Sequence, residues 1–283
     1  MKFKVRDPER ENRCDLPDFR TPTMSAGLDI QNLTSAQDAG LGSRARIGLI
    51  VLQSDQTIEH EFAALLRLEG LALYHARIPN EMEVTCDTLR QMETDLPVAA
   101  GLLPASFDFD AIGYCCTSGA TMIGEDRVDQ ILRAAHPKAN TSNPITACKA
   151  ALRALGLKRI ALITPYAPDV TVEMRDNLAE TGIEVNAIGT FNQSDDFKVA
   201  RISSDSILAA IKKVGQRPDC DGVFVSCTSL RVLPVLAEAE AQLGKPVLSS
   251  NQVTAWHLAR LAGITDTVAA GGLLFQHQLQ TKD

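Results

Sequence analysis

The sequence lacks any stretch approaching the roughly 20 consecutive apolar residues that span a bilayer. The start, Met1 to Pro8, has basic residues but no apolar segment behind them, so we expect no secretory signal. A positive charge balance is also missing: 28 Lys and Arg stand against 35 Asp and Glu, a net charge of −7. That balance disfavours nucleic acid or an anionic membrane as the main partner. The sequence therefore predicts a cytoplasmic protein with no nucleic-acid and no membrane partner.

Disulfide and metal patterns are absent as well. The seven cysteines are odd in number and widely spread, which disfavours a disulfide framework in a chain without an export signal. No Cys-x-x-Cys and no His–Cys cluster has the spacing of zinc ligands. We therefore expect reduced thiols and no metal, with most of the cysteines acting as small buried apolar residues.

Apolar runs and helical patterns alternate from Arg46 onward. The length of 283 residues and the hydrophobic fraction of 45% suit one large globular domain or two ordinary ones. Strands are predicted at 47–52, 71–78 and 111–115, and helices at 58–68, 83–103 (broken at Pro97), 125–135 and 147–155, with a turn at 141–144. This alternation predicts an α/β protein with doubly wound parallel sheets, which bind ligands at the carboxyl ends of their strands.

The second part of the chain repeats the first. Four pairs of segments match in the same order and at nearly constant separation: 46–50 with 159–163, 55–59 with 169–173, 116–118 with 227–229, and 142–147 with 250–255. Chance rarely produces such a series. We predict an internal duplication that builds two pseudo-symmetric doubly wound parallel-sheet domains, with an active site in the cleft between them.

The domain boundaries follow from composition and from the repeat. Residues 1–43 are polar and lack sustained periodicity, which predicts an N-terminal extension. The first α/β domain is predicted to contain residues 44–157 plus 256–283, and the second residues 158–255. The stretch from Ala255 to Phe275 is helical and then apolar in pattern, so we expect it to return and cover the first domain.

The triplet Cys-Thr-Ser occurs twice, and each copy ends an apolar run and opens a helical pattern. The positive end of a helix dipole should lower the pKa of Cys116 and of Cys227, giving a thiolate for attack on carbon or for proton removal. The neighbouring backbone N–H groups would hold a carboxylate or enolate oxygen; they belong to Thr117, Ser118, Thr228 and Ser229. The alternative is a pair of core cysteines at equivalent positions of a duplicated fold. Their position at ligand-binding strand ends favours a catalytic pair.

Other candidates also follow apolar runs. Asp55 is either a helix N-cap or a cleft-facing carboxylate that recognises a substrate ammonium or hydroxyl, whereas Asp169 is interpreted mainly as a cap. Tyr166 is either packed aromatic surface or a hydroxyl donor to a carboxylate. Ser250 and Asn251 form a turn and helix cap or donate hydrogen bonds to substrate oxygens.

These residues together resemble the aspartate/glutamate racemase superfamily, and more narrowly its maleate cis-trans isomerase and arylmalonate decarboxylase branch. The resemblance rests on four segments: 46–62, 114–119, 159–166 and 225–256. Within the branch, the segment from Ser54 to Phe62 is most similar to ectoine-utilisation relatives, which also carry an N-terminal extension. The resemblance implies cofactor-independent catalysis between two domains, in ectoine or hydroxyectoine catabolism.

The resemblance also implies roles for single residues. Cys116 would attack an alkene carbon, Cys227 would assist proton transfer, and Tyr166 would bind a substrate carboxylate. Decarboxylases of the branch keep only the second cysteine, so the presence of Cys116 argues against that activity. Asp55 stands where maleate isomerases place a carboxylate-binding asparagine, and a second such asparagine would fall near 195–196. Unless protonated, Asp55 would repel a carboxylate by about 1 kcal/mol if solvated, so a substrate with an amino or amidine group suits it better.

The sequence thus predicts a cofactor-independent isomerase or racemase acting on a small carboxylate or amino-acid substrate. Assembly into a homo-oligomer is compatible with the sequence. Two alternatives stay open. One is a non-catalytic two-lobed metabolite-binding protein, and the other is a decarboxylase or lyase that uses a single cysteine.

Overall fold

The computed structural model describes residues 31–280. The chain before Ala39 is a separate unit, and the residues described within it, 31–38, contain no helix or strand. Most of the predicted extension 1–43 therefore lies outside the described residues. Within residues 31–280, no helix has both the length and the apolar character needed to cross a membrane.

The unit that begins at Ala39 has two halves, and the first half is one parallel sheet covered by helices. Its elements are β1 Ala45–Leu52, α1 Ile58–Leu66, β2 Leu71–Ile78, α2 Cys86–Gly101, β3 Ala111–Cys115, α3 Thr117–Ile123, α4 Glu125–Ala135, β4 Asn140–Ser142 and α5 Pro144–Ala154. The strands lie in the order β2-β1-β3-β4, and all pairs are parallel. Every residue of β1 except Arg46 is buried, because helices cover both faces of such a sheet.

The second half repeats this plan. Its elements are β5 Arg159–Thr164, α6 Pro168–Ala179, β6 Glu184–Thr190, α7 Asp196–Val199, α8 Ser204–Gly215, β7 Gly222–Val225, α9 Leu233–Leu243, β8 Val247–Ser249 and α10 Ser250–Leu261. The order β6-β5-β7-β8 reproduces that of the first sheet strand for strand, again with all pairs parallel. The predicted α/β fold with two duplicated halves is therefore confirmed.

Helix α2 continues through Pro97, so the predicted break there is wrong. A proline inside a helix removes one backbone hydrogen bond and crowds the preceding turn. Here the residues on either side, Leu96, Ala99 and Ala100, are buried against the rest of the first half. Their burial holds the helix until Gly101.

The predicted turn at 141–144 is partly wrong, because Thr141 and Ser142 belong to β4. This strand is short and polar, and its backbone pairs with the edge of β3. Side-chain pattern does not reveal such a strand, since its position is fixed by the neighbouring backbone. Asn143 then caps α5 through its side chain, which accepts hydrogen bonds from the N–H groups of Ile145 and Thr146.

Helix α10 leaves the second sheet and packs against the first half. The Oγ of Ser142 lies 2.7 Å from Nδ1 of His257, and the amide of Asn140 donates to the carbonyl of Leu261 at 3.1 Å. Gly113 of β3 approaches α10 so closely that an added Cβ would lie 2.8 Å from Leu258. The helix ends at Leu261, and two short 3-10 turns follow, at Ala269–Gly271 and Leu274–Gln276. The domain boundaries themselves stay a prediction.

Candidate active site

The two Cys-Thr-Ser triplets meet in one cavity. Cys116 directly follows β3, and Cys227 follows β7 after one residue; these strands hold equivalent places in their sheets. The cavity has about 420 Å³ of empty space, part of it open to solvent. All six residues of the triplets line it, together with Tyr166. The duplication has therefore brought together two thiols that are distant in sequence.

Cys116 begins a helix, as predicted. It is the N-cap of α3, and its Sγ accepts a hydrogen bond from the N–H of Gly119 at 3.2 Å. The hydroxyl of Ser118 lies 3.8 Å from the same sulfur. Gly119 is required for this arrangement, because a Cβ there would lie 2.9 Å from Sγ of Cys116 and 2.5 Å from the hydroxyl of Tyr114.

Cys227 does not begin a helix, so the predicted symmetry of the two triplets is wrong at this point. The chain turns after it, and α9 starts only at Leu233. Its backbone has a φ of 129°, a conformation that costs free energy for a residue with a Cβ and often marks a functional position. The N–H of Cys227 donates to Oγ of Ser250 at 2.9 Å, and Thr117 donates to the same oxygen at 2.7 Å. The Ser250 hydroxyl thus connects the two triplets.

The pKa of each thiol is raised, whereas the sequence predicted lowered values. Burial raises the pKa of Cys116 to about 11, and the N–H of Gly119 and the hydroxyl of Ser118 offset this only in part. Burial also raises the pKa of Cys227, against the N–H of Ser229 and the hydroxyl of Tyr166. The negative charge of Asp196 acts in the same direction as burial on both thiols. Removal from water therefore outweighs the local donors.

Tyr166 follows β5 and lies between the two triplets. It is buried. Burial is the main cause that raises the pKa of its hydroxyl, and the nearby thiols of Cys227 and Cys116 raise this pKa further. The phenol therefore keeps its proton near neutral pH and is available as a hydrogen-bond donor inside the cavity.

Asp55 lies two residues before the capping position of α1, which is Thr57. Its Oδ1 accepts hydrogen bonds from the N–H groups of Thr57 at 2.7 Å and Ile58 at 2.8 Å. The side chain is 3% exposed and is not among the residues lining the cavity. Its Oδ2 is buried without a hydrogen-bond partner. Burial raises the pKa of this carboxyl, and the N–H groups of Ile58 and Thr57 offset the rise in part.

Ser250 and Asn251 lie behind the cavity wall. The capping residue of α10 is Ser249, which forms a capping box with Gln252, so the prediction of a cap at 250–251 is off by one residue. The amide of Asn251 donates to the carbonyl of Thr228 and to Glu61, both at 2.8 Å. Both residues thus support the second triplet from behind.

Asp169 is not a cap either. It lies within the first turn of α6, whose capping position is Ala167, and no side chain there forms a capping hydrogen bond. Pro168 opens the helix instead, since its fixed φ suits the first helical position.

Sequence reasoning placed a substrate-binding position near 195–196 but missed the two glutamates of the cavity. Glu81 and Glu83 line it from the loop after β2, and Asp196 lines it from the start of α7. The two segments pair directly: the N–H of Val84 donates to Ser194 at 2.9 Å, and the N–H of Asp196 donates to Met82 at 3.0 Å. The loop after β2 follows a strand end, which is the one sequence signal that would have placed it here.

No described cluster of three or more His, Cys, Asp and Glu side chains is arranged to hold a metal ion. The chemistry that the cavity offers comes from two thiols, a phenol, five hydroxyls, one amide, three carboxyl groups and backbone N–H groups. Such a set suits proton transfer or thiol addition next to a carboxylate.

Comparison with known proteins identifies the relatives. A family model described as arylmalonate decarboxylase matches residues 124–275. Maleate isomerase of Alcaligenes faecalis is 27% identical over 241 residues, covering 80% of this chain and 94% of its own. Arylmalonate decarboxylase of Bordetella bronchiseptica is 34% identical over 119 residues, covering 42% of this chain and 50% of its own.

A solved structure agrees with the duplicated architecture. The crystal structure of a maleate isomerase variant from Pseudomonas putida S16 with maleate superposes with a TM-score of 0.76 at 26% identity, covering 82% of this chain and 98% of that one. The match to the family model spans more than half of the sequence and includes Cys227. This chain belongs to the arylmalonate decarboxylase family.

Proposed function

We propose that the protein is a cofactor-independent isomerase or racemase in which Cys116 and Cys227 are the two chemical groups. The observation that carries this proposal is the position of both thiols on the wall of one cavity, at equivalent strand ends of the two halves. Assignment to the isomerases is supported by the maleate isomerases that align over about four-fifths of the chain. The substrate that we propose is a small carboxylate-bearing compound, as maleate is for the relatives named maleate isomerase.

Two reactions fit this pair of thiols. With an alkene, the Cys116 thiolate forms a C–S bond to one carbon, while the Cys227 thiol gives its proton to the neighbouring carbon next to the carboxylate. The remaining single bond rotates. The Cys227 thiolate then removes a proton from that carbon, and expulsion of the Cys116 thiolate restores the double bond in the other geometry. With a saturated acid, one sulfur removes the α-proton while the thiol opposite supplies another, which inverts the centre.

The remaining lining groups have roles that follow from their donors. The hydroxyl of Tyr166 donates to a substrate carboxylate, and the N–H groups at the start of α3 stabilise negative charge that develops beside Cys116. Ser250 and Asn251 hold the second triplet in place from behind. In this proposal the raised pKa values mean that substrate binding must favour the thiolate form of one sulfur.

The second candidate is a decarboxylase that uses Cys227 alone. It is favoured by the family match, which includes Cys227 but begins after Cys116. The presence of a second thiol in the cavity favours the isomerase. Release of carbon dioxide from aryl- or alkylmalonates, measured with the Cys116→Ala variant, would support the decarboxylase.

Ectoine-derived amino acids are the natural substrates that we propose for the isomerase. The similarity of 54–62 to ectoine-utilisation relatives supports this choice. A cytoplasmic location and a homo-oligomer stay predictions of the sequence.

The test is a substrate screen in deuterated water, read by proton NMR. Maleate and ectoine-derived amino acids are each incubated with the protein. Isomerisation of an alkene, or stereospecific loss of an α-proton signal, is expected for at least one compound. Decarboxylation of malonates without any isomerisation or proton exchange would contradict the proposal.

A further inference from the structure

The walls of the cavity carry acidic groups and no basic ones. Among the described residues that line it, Glu81, Glu83 and Asp196 are acidic, and none is Lys, Arg or His. Glu81 and Glu83 are exposed, whereas Asp196 is buried. The hydroxyls, the phenol and the backbone N–H groups of the cavity can hold one carboxylate, but Asp196 would repel a second carboxylate placed beside it. This charge pattern instead suits a ligand with a positive group of its own.

The charge of Asp196 acts on both thiols, and no Lys, Arg or His of residues 31–280 forms an ion pair with it. It is 4% exposed; one oxygen accepts from Oγ of Ser229 at 3.0 Å, and the other accepts from the hydroxyl of Ser54. The nearby bases are engaged elsewhere. Lys198 pairs with Asp195, and Arg201 lies over the ring of Phe197. A carboxylate accepts about four hydrogen bonds, so acceptor capacity remains.

A second buried acid adds to the negative charge behind this wall. Asp55 has an oxygen that is buried and without a hydrogen-bond partner, and the charge of Asp196 contributes to raising its pKa. An unpaired buried carboxylate is costly, and a neighbouring one increases that cost. A bound cation would relieve both, whereas a second ligand carboxylate would make both worse.

The geometry points to Asp196 as the residue that binds a positively charged nitrogen of the substrate, an ammonium or an amidinium. This inference rests on the proposed function, because it names the class of substrate for the same cavity. Asp196 thereby selects aminocarboxylates over dicarboxylates. Binding of the cation also offsets the negative charge of Asp196, which opposes ionisation of Cys116 and Cys227. Recognition of the substrate is thereby coupled to ionisation of the thiols.

The experiment compares ligands that differ in the charge at one end. Thermal-shift titrations of the full-length protein are run with 4-aminobutyrate and 2,4-diaminobutyrate, and in parallel with succinate and maleate. We expect the aminocarboxylates to stabilise the wild-type protein at lower concentration than the dicarboxylates. In Asp196→Asn, the preference should shift toward the dicarboxylates by about tenfold or more, since one partner of a buried charge pair is lost.

Asp195→Asn is the matched control. It removes the same charge one residue away, and Asp195 does not line the cavity; its preference should equal that of the wild type. Stronger binding of the dicarboxylates by the wild type, binding of neither class, or an unchanged preference in Asp196→Asn would overturn the inference. The wild-type comparison decides even if the variant fails to fold.

The readout is binding and does not depend on turnover. If both single cysteine variants keep full activity, the proposed function fails while the order of ligand affinities still stands. If the aminocarboxylates do not bind more tightly than the dicarboxylates and both cysteine variants are inactive, only the assignment of Asp196 is lost.

Discussion

Glu61 provides the clearest quantitative test of how the site is supported. Its side chain is 2% exposed on α1 and joins two parts of the second half. One oxygen accepts from the N–H of Leu233 at 2.9 Å, and the other accepts from the amide of Asn251 at 2.8 Å. Burial raises the pKa of this carboxyl to about 7 from the usual 4.5, against both hydrogen bonds.

The sign of the effect follows from the raised value. The folded protein binds this proton more tightly than the unfolded chain, so the stabilising contribution is complete below about pH 4.5 and is lost as the pH rises through 7. The difference between the two pKa values corresponds to roughly 3 kcal/mol. Glu61→Gln carries no titrating group, so its free energy of unfolding relative to wild type should rise by about that amount from pH 4 to pH 8.

Urea unfolding at a series of pH values measures this difference. Glu59→Gln is the control, because Glu59 lies on the same helix with its side chain 42% exposed and paired with Arg77. Subtracting its profile corrects for the loss of one negative charge from α1. A constant difference between Glu61→Gln and wild type across the series would refute the reasoning.

Three further predictions concern the thiols and their supports. Gly119→Ala should displace Cys116 and lower turnover at least about tenfold, whereas Gly101→Ala, where an added Cβ meets nothing within 4 Å, should leave steady-state rates unchanged. Ser250→Ala removes the hydroxyl between the two triplets, so kcat should fall about tenfold with a loss of only about 1 kcal/mol in stability by denaturant titration; an unchanged kcat would count against that role. Alkylation of Cys116 by iodoacetamide can be monitored by peptide mass spectrometry. Its rate should rise about tenfold per pH unit up to the pKa of about 11. A rate that levels off near pH 8 would contradict the raised pKa.

The duplicated fold was predictable because its signals are local. Continuous apolar runs mark strands covered on both faces, and the repeated order of segments shows two equivalent halves. Once the halves are equivalent, the rule that ligands bind at strand ends places Cys116 and Cys227 in one cleft.

The electrostatics of the site were not predictable, because they depend on tertiary packing. The helix after Cys116 suggested a lowered pKa, but burial has the larger effect. Asp196 and Glu61 are ordinary polar residues in a loop and a helix pattern, and only the folded chain buries them. The lack of a helix after Cys227 was equally hidden, since Thr228 and Ser229 suit a helix start and a turn alike.

The central claim is that Cys116 and Cys227 act together on one substrate. Its most direct test is turnover by Cys116→Ala and Cys227→Ala in deuterated water, on whichever compound the screen identifies, with Cys148→Ala as a control. Cys148 is buried in α5 and is not among the residues lining the cavity. The account predicts loss of turnover in both site variants, with activity retained in the control. Full activity in either site variant would contradict it.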